Sequence, residues 1–292
     1  MYEVNEISTE RSVERNLNFS LFDGYGVDFY IKRDDLIHPV VSGNKWRKLN
    51  LQLTDARENN KTELLTFGGA YSNHVVATAF AGSLYGFKTT AFMRGEEVRE
   101  KNNYDLICDQ YGMKQIKVSR ESYRDKKVLF EKYSEQNEGC YFIDEGGAGL
   151  LGEKGCEVIV DELQNNYDFI CLPVGTATTA KGISDACERK KLQTKVLGFS
   201  VMKNNKSLDD KMNENGFLNS EIFHQFSRGG YGKTDSELID FIDKFTTETG
   251  ILADKIYLGK MLMGITSLLA EGYFKKGSKI LILHTGGSPR IV

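Results

Sequence analysis

Residues 169–182 read FICLPVGTATTAKG, an apolar run of strand length that breaks into a glycine and a string of threonines before a helical pattern begins. The run from Phe169 to Val174 is apolar throughout instead of alternating, the pattern of a parallel strand covered by helices on both faces. Residues 279–288, KILILHTGGS, repeat the arrangement: an apolar run, then a turn of small polar residues. Working outward, β-type runs at 27–32, 64–67, 88–93, 115–118 and 196–201 alternate with amphipathic stretches at 44–57, 72–85, 123–135, 153–163, 178–191, 236–247 and 259–273. This alternation predicts an α/β fold. Ligands of such sheets bind beyond the carboxyl ends of the strands, so chemistry is expected in the turns that follow them.

The chain has 292 residues, 40% hydrophobic and 27% charged, enough for one large core or two lobes of ordinary size. No long linker or repeat is visible, so a second domain would be interleaved with the first. A net charge of -3 leaves no basic surplus for a phosphate backbone, which argues against a nucleic-acid partner. The longest apolar runs fall far short of the ~20 residues of a spanning helix, so no membrane is expected. The start, MYEVNEISTER, is acidic and polar with no secretory pattern, and a cytoplasmic location is expected. The 5 cysteines are scattered and form neither CxxC nor a Cys/His cluster; reduced thiols and no metal site are expected.

Four turns are rich in small and polar residues: VSGNKWRK (41–48), FGGAYSNH (67–74), VGTATTAKG (174–182) and HTGGS (284–288). Any one of them is compatible with a simple tight turn or helix cap. Four together at strand ends favour a small ligand bearing phosphate or carboxylate. Gly175, Thr176, Ala177, Thr178 and Thr179 form a candidate phosphate cup at a helix start, with neither the GxxxxGK[ST] nor the GxGxxG spacing of the nucleotide loops. Lys181, one turn further, reads as solvated. In 41–48, Ser42 is a candidate N-cap, and Trp46, Leu49 and Leu53 fall on one helical stripe. Lys45 and Lys48 then share another face. A lysine near a helix N-terminus has its cationic form disfavoured and becomes a better nucleophile towards a carbonyl. Lysine, phosphate cup and Ser/Asn-rich turn are together compatible with pyridoxal phosphate without being unique to it.

The segments IKRDDLIHPVVSGNKWRKL (31–49), FGGAYSNH, EGGAGLLGEKG (145–155), VGTATT, GGYG (229–232), IYLGKMLMG (256–264) and HTGG span most of the chain. In this order they resemble the family of 1-aminocyclopropane-1-carboxylate deaminases and D-cysteine desulfhydrases, pyridoxal-phosphate enzymes of the tryptophan-synthase-β-like fold (fold type II). The resemblance implies two open parallel-sheet lobes with the cofactor between them. Residues 1–52 and 145–292 are expected to form a large cofactor-binding domain and 53–144 a small mobile one. It also implies that Lys45 carries the cofactor and that Lys48 is a second site lysine. Ser72, Asn73 and His74 would hold the substrate carboxylate, and Asn73 also the cofactor's phenolic oxygen. The cup at 175–179 would take the phosphate, and Thr285 would face the pyridine nitrogen. Tyr257 matches an active-site tyrosine of the family, with Tyr231 as a second near the substrate, and a homodimer is expected.

The chain departs from the ring-opening members at two positions. They carry glutamate directly after the tyrosine, where this chain has Leu258, and glutamine after Ser-Asn, where it has His74. A neutral hydroxyl at Thr285 does not favour a protonated pyridine, so the cofactor becomes a weaker electron sink. The expected function is therefore β-elimination from a D-cysteine-like substrate, giving a 2-oxo acid and ammonia. The alternatives are a 1-aminocyclopropane-1-carboxylate deaminase and, from another class, a catalytically inactive cofactor-binding or ligand-sensing protein. Lys45, Ser72, Asn73 and Thr285 argue against the last.

Overall fold

A computed structural model describes residues 7–41, 43–95, 100–205, 208, 210 and 216–287. In chain order the strands are β1 (Glu14–Asn16), β2 (Asp28–Lys32), β3 (Glu63–Gly68), β4 (Lys88–Arg94), β5 (Lys114–Val118), β6 (Cys140–Phe142), β7 (Phe169–Val174), β8 (Lys195–Ser200), β9 (Ser220–Phe223) and β10 (Lys279–Leu283). The helices are α1 (Asn44–Glu58), α2 (Asn73–Tyr85), α3 (Asn103–Gln110), α4 (Lys126–Ser134), α5 (Leu150–Asp161), α6 (Thr178–Arg189), α7 (Ser236–Thr249) and α8 (Leu258–Ala270). The chain divides into two compact units, one built mainly from Ile37–Gly155 and the other from Thr9–Leu36 with Cys156–Ser288.

The first unit holds a parallel sheet in the order β5-β4-β3-β6. Alternation along β3 assigns its side chains to two faces. Leu64 packs with Trp46, Leu49 and Leu53 of α1 and with Ala77 and Ala81 of α2, whereas Leu65 and Phe67 pack with Phe92, Tyr123 and the partly buried Leu129 and Phe130 of α4. The Trp46-Leu49-Leu53 stripe is therefore what docks α1 on this sheet. Close approach is enforced at Gly155, where a Cβ would lie 2.0 Å from the Arg47 carbonyl oxygen. Only a residue without a side chain lets the first half of α5 pass α1 at that distance.

The second unit holds a sheet in the order β1-β2-β10-β7-β8-β9, parallel except for the antiparallel pair β1 and β2. The unbroken apolarity of β7 has a direct cause. Cys171 packs with Leu262 and Ile265 of α8 and Phe241 of α7, while Ile170, Leu172 and Val174 pack with Ile159 of α5 and Ile183 of α6. Both faces are covered, so neither tolerates a polar residue.

Several elements differ from the sequence reading. The units divide the chain at other points than 52/53 and 144/145, because α1 and the turn at 145–149 cluster with the four-stranded sheet. Short strands β1, β6 and β9 and helix α3 carry too few residues to show a periodicity. The stretch from 123 is split by a 3-10 turn at Ser122–Arg124, after which the Asp125 side chain caps α4 by accepting from the Val128 N–H at 3.1 Å. Ser42, the expected cap of α1, and Ser288, the end of the HTGGS turn, lie outside the described residues. The residue at the N-cap of α1 is Gly43, with φ 59° and no side-chain cap. No helix among the described residues is long and apolar enough to cross a membrane.

Candidate active site

In the first unit, the start of α1, the start of α2 and the turn at Glu145–Gly147 bring Lys45, Lys48 and His74 together. Lys48 is buried, and its ammonium donates to the Gly146 carbonyl at 3.3 Å. Gln52, one turn on, donates from Nε2 to the Lys48 carbonyl at 2.9 Å and towards that of Gly147 at 3.4 Å. A Cβ on Gly147 would lie 3.0 Å from Lys48 Cβ and 3.5 Å from His74 Cε1, so the turn passes between the lysine and the imidazole with no room for a side chain. Gly147 also has a φ of +72°, which glycine adopts freely. Lys45 is half-buried one turn before Lys48.

The state of His74 follows from its partners. Its Nε2 lies 2.8 Å from Thr66 Oγ1, and the Thr66 hydroxyl donates its one proton to the Ile143 carbonyl at 2.9 Å. Nε2 must then be the protonated nitrogen, donating to Thr66. Nδ1 is left as a buried acceptor with no partner among the described residues. Burial first, then the positive charges of Lys45, Lys48 and Lys126, hold the imidazole well below its usual 6.5, so it is neutral. A ring in this state offers no N–H to a carboxylate. The backbone N–H groups at the start of α2 do, and Ser72 stands before them as N-cap, its hydroxyl accepting from the Val75 N–H at 3.3 Å and keeping its own proton to donate. Next to it, Asn73 Oδ1 is buried with no partner among the described residues.

In the second unit, α6 begins directly after β7 with no side-chain cap, because its N-cap is Ala177, held at φ 64°. Thr178 and Thr179 are buried in its first turn, and the hydroxyls of Thr176 and Thr178 lie 3.1 Å apart. Among the described residues nothing comes within 4 Å of a Cβ built on Gly175, so the head of this turn faces open space. An uncapped helix start with hydroxyls around it suits an anion. Lys181 is paired with Asp185 on its own helix and is not directed into the turn.

The same unit positions the tyrosines. Asp254 Oδ1 accepts from the N–H groups of Ile256 at 2.9 Å and Tyr257 at 2.7 Å, while Oδ2 accepts from that of Leu258 at 3.1 Å. This cap, which the sequence reading did not single out, orients Tyr257 at the head of α8; an aspartate just before the apolar run LGKMLMG was the signal that could have found it. Gly287 of the HTGG turn lies against the same aspartate, a Cβ there being 3.6 Å from Asp254 Cβ. Tyr257 and Tyr231 are neighbours, their hydroxyls 3.5 Å apart and their rings at 75°. Thr285 is buried, and beside it His284 donates from Nε2 to the Leu252 carbonyl at 2.9 Å, with no partner for Nδ1 among the described residues. Leu258 is only 1% exposed and belongs to the apolar cluster of α7 and α8. Among the described residues, no group of His, Cys, Asp or Glu is placed to hold a metal ion, and the cysteines are free and buried.

Two buried neutral histidines make stability depend on pH. Desolvation lowers the pKa of His284 below its usual 6.5, against the opposing charge of Asp35, and lowers that of His74 as well. Below pH 6.5 the unfolded chain therefore takes up protons that the folded one refuses, and stability falls with pH by up to ~2.7 kcal/mol per unit for two such groups. Urea midpoints are expected to drop between pH 7 and 5.5, and His74→Gln with His284→Gln to flatten that slope. An unchanged slope in the double variant would contradict the assignment.

Residues 17–286 match the family described as pyridoxal-phosphate dependent enzyme. A protein of Thermotoga maritima, provisionally named 1-aminocyclopropane-1-carboxylate deaminase, is 31% identical over 291 residues, covering 91% of this chain and 91% of its own. The mitochondrial bifunctional D-cysteine desulfhydrase/1-aminocyclopropane-1-carboxylate deaminase of Arabidopsis thaliana is 27% identical over 294 residues, covering 90% of this chain and 73% of its own. A solved structure of an ACC deaminase homologue is similar with a TM-score of 0.81 at 27% identity, covering 96% of this chain and 90% of that one.

Proposed function

The chain belongs to the pyridoxal-phosphate dependent enzymes of fold type II, and from that membership we propose a lyase that eliminates the β-substituent of a small D-amino acid such as D-cysteine. Its cofactor is pyridoxal phosphate, and its relatives are named as deaminases and desulfhydrases. The residues present suit that cofactor. The uncapped start of α6 offers donors to a phosphate, Gly175 leaves the approach clear, and the half-buried Lys45 amine lies near a neutral imidazole. Pyridoxal phosphate supplies an aldehyde for the substrate amine and a ring that withdraws electrons from Cα.

The chain's own residues divide the remaining work. Lys45 would hold the cofactor, and its amine would take the Cα proton. Lys48 is the second proton carrier. The hydroxyl of Ser72 and the N–H groups of Asn73 and His74 hold the substrate carboxylate, and the Asn73 side chain addresses the cofactor's phenolic oxygen. Gly175, Thr176, Ala177, Thr178 and Thr179 hold the phosphate. Thr285 would offer the ring nitrogen a neutral hydroxyl. Tyr257 and Tyr231 are assigned to the thiol end, where a proton is delivered to the leaving sulfur. The balance is D-cysteine plus water giving pyruvate, ammonia and hydrogen sulfide. This reading includes a homodimer in the cytoplasm; sedimentation at twice the chain mass is the check on the first.

The observation that carries the preference for elimination is Leu258, which buries its side chain in an apolar cluster directly after Tyr257. The ring-opening reading is favoured by the names of the Thermotoga maritima relative and of the solved homologue. Ring opening has no thiolate to expel and demands stronger electron withdrawal. A missing charge-assisted hydrogen bond of ~1.5 to 3 kcal/mol slows it by about one to two decades. Pyruvate release from D-cysteine is therefore expected to exceed 2-oxobutyrate release from 1-aminocyclopropane-1-carboxylate in kcat/KM. A higher value for the cyclopropane substrate would reverse the preference.

A further inference from the structure

Lys260 lies in the first turn of α8, three residues after Tyr257, and is 2% exposed. A buried ammonium needs partners, and here they are carbonyls of a distant loop: Ser227 at 2.9 Å and Gly230 at 2.7 Å. Those two carbonyls also close consecutive turns, accepting from the N–H groups of Gly230 at 3.0 Å and Lys233 at 3.2 Å. Tyr231 sits in the second of these turns. Arg228 of this loop is held by Asp235 and Glu237, while Gly229, Gly230 and Gly232 beyond it all have positive φ. Glycines in such conformations lose the most backbone entropy on ordering. Tyr231 itself is 47% exposed, so packing alone does not fix it. Its hydroxyl nevertheless lies 3.5 Å from that of Tyr257, whose place is set by the same helix start that carries Lys260.

We propose that Lys260 is a positioning residue: its ammonium ties the Ser227 and Gly230 carbonyls to the first turn of α8 and so holds the Tyr231 hydroxyl against that of Tyr257. The two tyrosines then act as one unit, with Tyr257 donating its proton to Tyr231 and Tyr231 keeping its own to pass on. Burial and the neighbouring Arg228 lower the pKa of Lys260, opposed by the carboxylates of Asp235 and Asp254. The catalytic consequence rests on the lyase reading above; the clamp itself does not.

The experiment compares holoenzyme carrying Lys260→Met, Lys260→Gln, Tyr231→Phe and the Lys260→Met/Tyr231→Phe pair. Hydrogen exchange of the 227–233 amides is expected to quicken about tenfold or more in Lys260→Met, with exchange in β7 and β8 unchanged. Lys260→Gln, which keeps a donor, should show a smaller rise and serves if the methionine variant folds poorly. With D-cysteine, Lys260→Met and Tyr231→Phe should each lower kcat by about tenfold with KM little changed, and the pair should lose no more than either alone. Unchanged exchange in the turn overturns the clamp. Independent, multiplying losses in the pair overturn its action through Tyr231. If the wild-type protein does not process D-cysteine, the proposed function fails, and the exchange result still decides the clamp.

Discussion

Lys45→Ala is expected to leave the purified protein colourless after dialysis and to slow turnover by at least ~10^2 to 10^4-fold, the range of a lost proton-transfer group alone. The argument is local. Lys45 stands in the first turn of α1, half-buried, where the helix start disfavours a cation, and its charge is among those that keep His74 neutral. Lys48 shares its face of the helix but is spoken for differently, since its ammonium is buried against the Gly146 carbonyl. Lys48→Ala should therefore retain the yellow colour and lose rate without losing cofactor. Absorbance of the dialysed variants decides between the two lysines: colour kept by Lys45→Ala and lost by Lys48→Ala would exchange their roles.

Gly155→Ala should be among the most damaging single substitutions in the chain. A Cβ 2.0 Å from the Arg47 carbonyl oxygen meets backbone, which cannot rotate away as a side chain would. Helix α1 must shift or lose the hydrogen bond that this carbonyl makes along the helix, and overpacking against backbone exceeds the ~1 to 3 kcal/mol usual for added core methylenes. Arg47 sits between Lys45 and Lys48, so the same shift misplaces both amines. The expected result is a lower urea midpoint together with a kcat/KM loss of about 10^2-fold, the scale of an ångström-sized misplacement in an active site. Wild-type stability in this variant would show that α5 and α1 do not pass as closely as described.

Much of the candidate site was legible because its signals are local. Strand followed by glycine and threonine at 174–179, serine at the head of α2, and lysines three apart on α1 each declare themselves within a few residues. The strands were legible for the same reason, since burial on both faces leaves an unbroken apolar run in β7 and β10. The state of His74 was not. Its family position suggested a group holding a carboxylate, yet its one ring N–H is committed to Thr66, eight residues away, and the proton that forces this choice goes to Ile143, seventy-seven residues from Thr66. Asp254 was passed over because an aspartate in a loop looks ordinary until three N–H groups are seen to converge on it.

The sequence by itself determined the α/β class, the parallel strands, the family and the residue types of the candidate site, because periodicity and small-residue turns are written in neighbouring positions. Tertiary structure decided which unit carries α1, which nitrogen of His74 bears the proton, where Leu258 buries its side chain and what holds the Tyr231 turn. Each of these depends on a partner tens of residues away. A hydrogen-bond donor or a core methyl has no preferred sequence distance to its acceptor or neighbour, and only the folded chain selects the pair.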